Sequence, residues 1–139
     1  MTATISFTVP GKPFAKERPR FSRKSGRAVT PKATVSFENT VRALASQIFK
    51  RPIEGPVSVI VEAVFEPPQS WSKKKKAAHL SGYWHTQKPD SDNIEKAIHD
   101  GLNRIAIVDD SQIAHSVCTK TWGKEARTDV TIVQLESGQ

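Results

Sequence analysis

The chain has 139 residues, 37% of them apolar and 25% charged, with a net charge of +7, the balance of one globular domain large enough to bury its own core. No stretch approaches the roughly 18 uninterrupted apolar residues of a membrane helix, and MTATISFTVPG at the amino terminus lacks the basic-then-apolar pattern of a secretory signal, so a cytoplasmic location is expected. The pI near 9.8 points to a polyanionic partner, while the single cysteine, Cys118, excludes an internal disulfide and reads as a small packing residue.

Thr4 to Val9 alternates, with Ile5, Phe7 and Val9 on one side, and Pro10-Gly11 ends it, which predicts a first strand. Lys12 to Lys32 is loop-like, punctuated by Pro13, Pro19, Pro31 and Ser25-Gly26. It carries Lys12, Lys16, Arg18, Arg20, Arg23, Lys24, Arg27 and Lys32 against the single acid Glu17, an excess that equals the net charge of the whole chain. The rest of the molecule is therefore balanced, and this arm is the expected DNA contact, since a run of Arg and Lys follows a phosphate backbone and releases its counterions. Its candidate binding residues are Lys12, Lys16, Arg18, Arg20, Arg23, Lys24 and Arg27. Phe14 and Phe21 interleave with these charges, either to stack on bases or to tuck into the core.

Thr34 or Ser36 caps a predicted helix reaching about Lys50, with Phe37, Val41, Leu44, Ala45 and Ile48 as its apolar stripe and Glu38 near its first turn to suit the dipole. Arg51 to Pro56 is a turn, and Val57 to Phe65 alternates as a Val- and Ile-rich strand. Pro67-Pro68 stops that strand. Ser70 or Ser72 then caps a short helix holding Lys73 to Lys76, a solvated face or an extension of the positive field.

The stretch KPDSDNIEKAIHDGLNRIAIVDDSQ at 88 to 112 gathers acids on both sides of an amphipathic helix. From Asn93 the residues Ile94, Ala97, Ile98, Leu102 and Ile105 recur on one face, with Ser91 or Asp92 as N-cap and a fade near Gly101 to Arg104. If Lys88 to Asp92 is extended, the Asp90 and Asp92 side chains leave on the same side. Lys96 lies one turn beyond Asp92, and a second acidic pair, Asp109 and Asp110, follows the helix. Gln112 to Trp122 and Val130 to Leu135 read as two further strands, expected to pair as a hairpin around 123 to 127. The order of elements predicts a single α+β domain over residues 1–139, with a mixed sheet of about four strands and two main helices on one face.

Asp90, Asp92 and one of Asp109 or Asp110 brought together would raise one another's pKa unless a cation neutralised them. Hard oxygen donors in an open arrangement suit Mg²⁺ or Mn²⁺, and such ions activate water for phosphodiester hydrolysis. Lys96 would offset charge developing on the phosphate. An isolated Asp-x-Asp needs no function beyond a cap and a surface charge; the positive arm and the second acidic pair give it one. An EF-hand fails, because Ile94 and Glu95 stand where a loop counted from Asp90 needs a ligand and then a glycine. His79, His85, His99, His115 and Cys118 lack the paired short spacings of zinc sites, and neither a glycine-rich phosphate loop nor a nucleophile elbow is present.

KPDSDNIEKAIHDGLN at 88 to 103 and VDDSQI at 108 to 113 resemble the RusA family of Holliday junction resolvases. The shared pattern is Asp-x-Asp-Asn, a lysine four residues after the second Asp, an Asp on the same helix, and a downstream Asp-Asp before Gln. PGKPFAKERPRF and the Trp-Ser-Lys-Lys at 71 to 74 extend it more weakly. The resemblance implies a homodimeric, Mg²⁺-dependent endodeoxyribonuclease that cuts paired strands of four-way junctions. By matching position it assigns metal binding and catalysis to Asp90, Asp92 and Asp110, with Lys96 as the essential lysine; Asp110 is preferred to Asp109 by this match alone. The arm is longer than in the shortest family members, leaving open other branched DNAs as substrate. A non-catalytic branched-DNA-binding accessory protein of a phage or bacterium, with a purely structural acidic cluster, is the second reading. Metal-dependent transfer on a nucleotide or sugar is disfavoured by the missing phosphate loop.

Overall fold

The Val- and Ile-rich run Val57–Phe65 forms strand β4, whose Val57, Val59, Val61, Ala63 and Phe65 are buried on one face while Ser58 and Val64 are covered on the other. A strand so nearly covered on both sides belongs in the middle of a sheet. In the computed structural model, which describes residues 3–17, 20–21, 23–24, 26–29 and 31–136, it is the axis of the fold. Strands β1 (Thr4–Pro10), β5 (Ile113–Trp122) and β6 (Arg127–Gln134) complete a mixed sheet in the order β1-β6-β4-β5, with β4 and β5 parallel and the other pairs antiparallel.

The hairpin expected of the last two strands does not form, because β4 lies between β5 and β6 and pairs with both. Burial explains the order. The backbone groups of the most apolar strand need partners on both edges, whereas β5, partly exposed along its length, tolerates an edge. The connection crosses the end of β4 at Gly123, whose N–H donates to the Phe65 carbonyl at 2.9 Å. A Cβ at Gly123 would overlap Val64 Cγ1, so only glycine permits so close a crossing.

Three helices accompany the sheet: α1 (Lys32–Ser46), α2 (Lys73–Leu80) and α3 (Ser91–Leu102). Helix α1 starts after Pro31 with no side-chain cap, earlier than the capping signals at Thr34 and Ser36 imply. Thr34 is instead wholly buried and accepts the Glu17 N–H at 3.4 Å. The helix also ends before Lys50; Ile48 is exposed and Phe49 turns into the core in its place. Val41 and Ala45 of α1 and Ile94, Ile98 and Leu102 of α3 close over Phe7, Val9, Val59, Val61, Val130 and Ile132 of the sheet, making one α+β core. The two helices approach tightly at Gly101, where a Cβ would sit 2.7 Å from Val41 Cβ.

The basic arm is not loop throughout. Arg20–Phe21 (β2) and Ala28–Val29 (β3) pair as a short antiparallel ribbon, and Gly26 in their connection takes a φ of 66°, the region where glycine costs least. At the arm's root Phe14 stacks on Phe37 of α1 with centroids 5.0 Å apart, which places that ring in the core and not against bases. Arg18 lies outside the described residues, as do the side chains of Arg20 and Phe21.

Candidate metal and phosphate site

Helix α3 is sharply two-sided. Ile94, Ala97, Ile98, Gly101 and Leu102 are buried, and the opposite stripe, spaced three and four apart, carries Asp92, Glu95, Lys96, His99 and Asp100. That stripe lines an open cavity of about 290 Å³, closed on its far side by Asp110. The structure thus brings together three of the four residues expected at the centre, Asp92, Lys96 and Asp110. Among the described residues Lys96 forms no ion pair.

Asp90 stands apart from this lining. The helix begins at Ser91, one or two residues earlier than the sequence pattern implies, so Asp90 is the N-cap, in extended conformation with φ −72° and ψ 144°, and makes no cap hydrogen bond. Asp92 already has helical geometry. The two carboxylates consequently do not project in parallel from one extended segment; one sits at the mouth of the helix and the other on its first turn. The approach to Asp90 is held by Lys120 of β5, whose Nζ donates to the Gln87 and Pro89 carbonyls at 2.7 and 2.8 Å.

The acidic pair at 109 and 110 is divided by local structure. Asp109 caps a 3-10 turn over Asp110–Gln112, accepting the Ser111 N–H at 3.0 Å, and hydrogen bonds from Ser111 hold its carboxyl below the usual carboxylate range. Gln112 completes the reciprocal cap, with Oε1 accepting the Val108 and Asp109 N–H groups at 2.6 and 2.9 Å. Its Nε2 donates to the Ile53 and Gly55 carbonyls, both at 2.8 Å. Asp109 is thereby occupied in shaping the turn, while Asp110 faces the cavity.

The sequence reading passed over Glu95 and His99 as cavity residues. Ser116 on β5 donates from Oγ to Glu95 Oε2, and the same oxygen lies 3.0 Å from His99 Nε2. Burial keeps the His99 imidazole below its ordinary pKa despite the opposing influence of Glu95, Asp100 and Asp110. The signal was available, since 92, 95, 96, 99 and 100 share one helical stripe. Asp100 pairs with Lys16, whose backbone N–H also donates to the Asn93 carbonyl at 3.0 Å. This draws Lys16 out of the arm and fastens it to α3. Lys12, Arg23, Lys24 and Arg27 are exposed.

The cavity's donors fit a hard divalent cation in kind: Asp92, Glu95 and Asp110 offer only oxygens, and His99 is the one nitrogen. Among the described residues no three His, Cys, Asp or Glu side chains are gathered closely enough to enclose an ion. Magnesium does not require that, because it keeps several waters and binds through one or two carboxylates. No described helix is long and apolar enough to cross a membrane.

Comparison with known proteins agrees with this layout. The protein is 37% identical over 141 residues to "Uncharacterized protein YqaN" of Bacillus subtilis (strain 168), an alignment covering 96% of this chain and 98% of that one. The family model described as endodeoxyribonuclease RusA matches residues 10–133, taking in the arm, α3, the 3-10 turn and nearly all of the sheet. The chain belongs to the RusA family of endodeoxyribonucleases.

Proposed function

We propose that the chain is a divalent-metal-dependent, structure-selective DNA endonuclease that resolves Holliday junctions by paired phosphodiester hydrolysis in the cytoplasm. The observation that carries this reading is the cavity shared by Asp92, Lys96 and Asp110 in a chain of this family. Asp92 and Asp110, with Asp90 at the mouth of α3, would hold Mg²⁺, or Mn²⁺ in its place. A bound ion supplies Lewis-acid activation of the attacking water and of the scissile phosphate.

The remaining work falls to the chain's own side chains. Lys96 sets an unpaired ammonium beside the acids, where it balances charge on the phosphate as the bond breaks. Ser116 orients Glu95 and His99 along the cavity wall. The exposed cations of the arm, Lys12, Arg23, Lys24 and Arg27, with Arg18 and Arg20, draw in the DNA backbone. Two opposed cuts require two such cavities, so the working form is a homodimer related by a two-fold axis.

The test is a labelled four-way junction, a matched duplex and a single strand, each incubated with the purified chain and Mg²⁺ or Mn²⁺. Nicking of the junction, lost in Asp92→Asn while junction binding persists, is the expected result. Cutting that survives in Asp92→Asn overturns the site. Salt-sensitive junction binding with no cleavage under any divalent ion favours the accessory-protein reading.

A further inference from the structure

Beside the segment that leads into Asp90, the surface carries an aromatic feature that the cavity does not use. Tyr83 and Trp84 are 56% and 68% exposed. An indole left so open by a monomeric surface calls for a reason. Neither residue is on a loose loop. Trp84 makes a β-bridge to Thr121, the His85 N–H donates to the Lys120 carbonyl at 3.1 Å, and Lys120 Nζ then fastens Gln87 and Pro89. Trp84 is therefore clamped along β5 on the same short segment that delivers Asp90.

Behind it stands a row of rings. Trp122 of β5 meets Trp71 at 5.1 Å between centroids, Trp71 meets His79 at 4.5 Å, and His79 meets Tyr83 at 5.0 Å. This row carries helix α2, which has no buried residue of its own and rests on the Ser72 cap and these ring contacts. Lys75 lies 4.1 Å above the Trp71 ring, and Lys73 and Lys74 are exposed. An otherwise weakly anchored helix thus holds a block of positive charge next to an exposed, rigid indole.

We infer that Trp84, supported by Tyr83 and flanked by the α2 lysines, is a stacking platform for an unpaired base of the DNA whose phosphate occupies the α3 cavity. The charge selects the partner: lysines alone would suit any polyanion, and an indole beside them suits a strand with bases free to stack. Fully paired duplex offers such a ring only its terminal base pairs. The platform would thus favour DNA that is branched or frayed next to the cut. The inference rests on the endonuclease reading and adds a determinant of substrate choice to it.

The test measures binding of the full chain, without divalent metal, to a forked DNA with single-stranded arms and to a long duplex of matched sequence, using fluorescence anisotropy. 2-Aminopurine at each unpaired position of the fork reports stacking directly. Trp84→Ala should weaken fork binding about ten-fold, the worth of one base on an aromatic ring, abolish quenching of one 2-aminopurine, and leave duplex binding within two-fold. Trp84→Phe should restore most of both signals. Fork affinity unchanged in Trp84→Ala, or an equal loss on fork and duplex, overturns the platform. If the unaltered chain neither binds nor cuts any DNA, the endonuclease reading fails instead.

Discussion

Lys120 Nζ lies 2.8 Å from the Pro89 carbonyl oxygen and 2.7 Å from that of Gln87, so a side chain near the end of β5 fixes the entry to α3. Lys120→Met keeps the aliphatic stem and removes the donor. The expected outcome is a loss of about 1–2 kcal/mol in urea unfolding, the low end for hydrogen bonds from a charged donor. Junction nicking should fall by roughly ten-fold as Asp90 loses its fixed position, an effect of the size seen when residues supporting a metal site are removed.

Asp109 and Asp110 should separate cleanly on substitution. Asp110→Asn is expected to lower nicking by about a hundred-fold or more with an unchanged melting temperature. Asp109→Asn retains an N-cap acceptor and should keep most activity, whereas Asp109→Ala should lower the melting temperature. Paired nicking assays and thermal melts read both, and equal activity losses in Asp109→Asn and Asp110→Asn would contradict the division.

Gln112 uses both ends of its amide, accepting from Val108 and Asp109 and donating to Ile53 and Gly55. Gln112→Glu preserves shape and the acceptor but sets a carboxylate oxygen against two carbonyls. It should destabilise by about 2–3 kcal/mol in urea unfolding, more than Gln112→Ala does, because an unpaired polar group facing acceptors costs more than a missing one.

Gly101→Ala introduces a Cβ at 2.7 Å from Val41 Cβ and 2.8 Å from Val41 Cγ1. The β-branched valine has no alternative rotamer of comparable ease within a helix. We expect a loss of about 1–3 kcal/mol from overpacking, measured by chemical denaturation, and partial recovery in the double variant with Val41→Ala, since the two sites share one contact.

Burial holds the His85 imidazole below its ordinary pKa of 6.5, aided by the charges of Lys120 and Lys12, and the ring stacks on Phe65 at 4.0 Å. The unfolded chain takes up a proton near pH 6.5 that the folded chain refuses. Stability from this group is therefore complete above 6.5 and is lost as the pH falls from there through the lowered folded value. Melting temperature should decline between pH 7 and pH 5, with a shallower decline in His85→Phe; His99, lowered in the same direction, supplies part of what remains.

Local patterns made much of this molecule legible. The β4 alternation gives Val57–Phe65 without adjustment, the Ile94 to Leu102 stripe gives the buried face of α3, and Ser72 caps α2 as its position implies. Strand order was not legible, because periodicity reports which face of β5 or β6 is apolar and says nothing of the neighbour at its edge. Thr34 misled for a related reason: a residue favoured at caps was taken by burial and by the Glu17 N–H. Sequence alone could not separate Asp109 from Asp110, since the difference lies in Gln112 reaching Ile53 and Gly55, far away along the chain. Glu95 and His99 were readable from helical spacing but acquire meaning only when Ser116 of β5 joins them.

The parallel pairing of β4 with β5 has one more consequence. Parallel neighbours require a long crossover, and here the crossover contains α2, α3 and the 3-10 turn, so Asp92, Lys96 and Asp110 all lie between two adjacent strands of the sheet. The cutting apparatus is one uninterrupted cassette, closed at its end by Ser116. Substitutions in β1, in β6 or at the tip of the basic ribbon can retune how the molecule grips DNA without shifting one acid against another. Grip and cut are thereby separate targets for change, in evolution and in engineering alike.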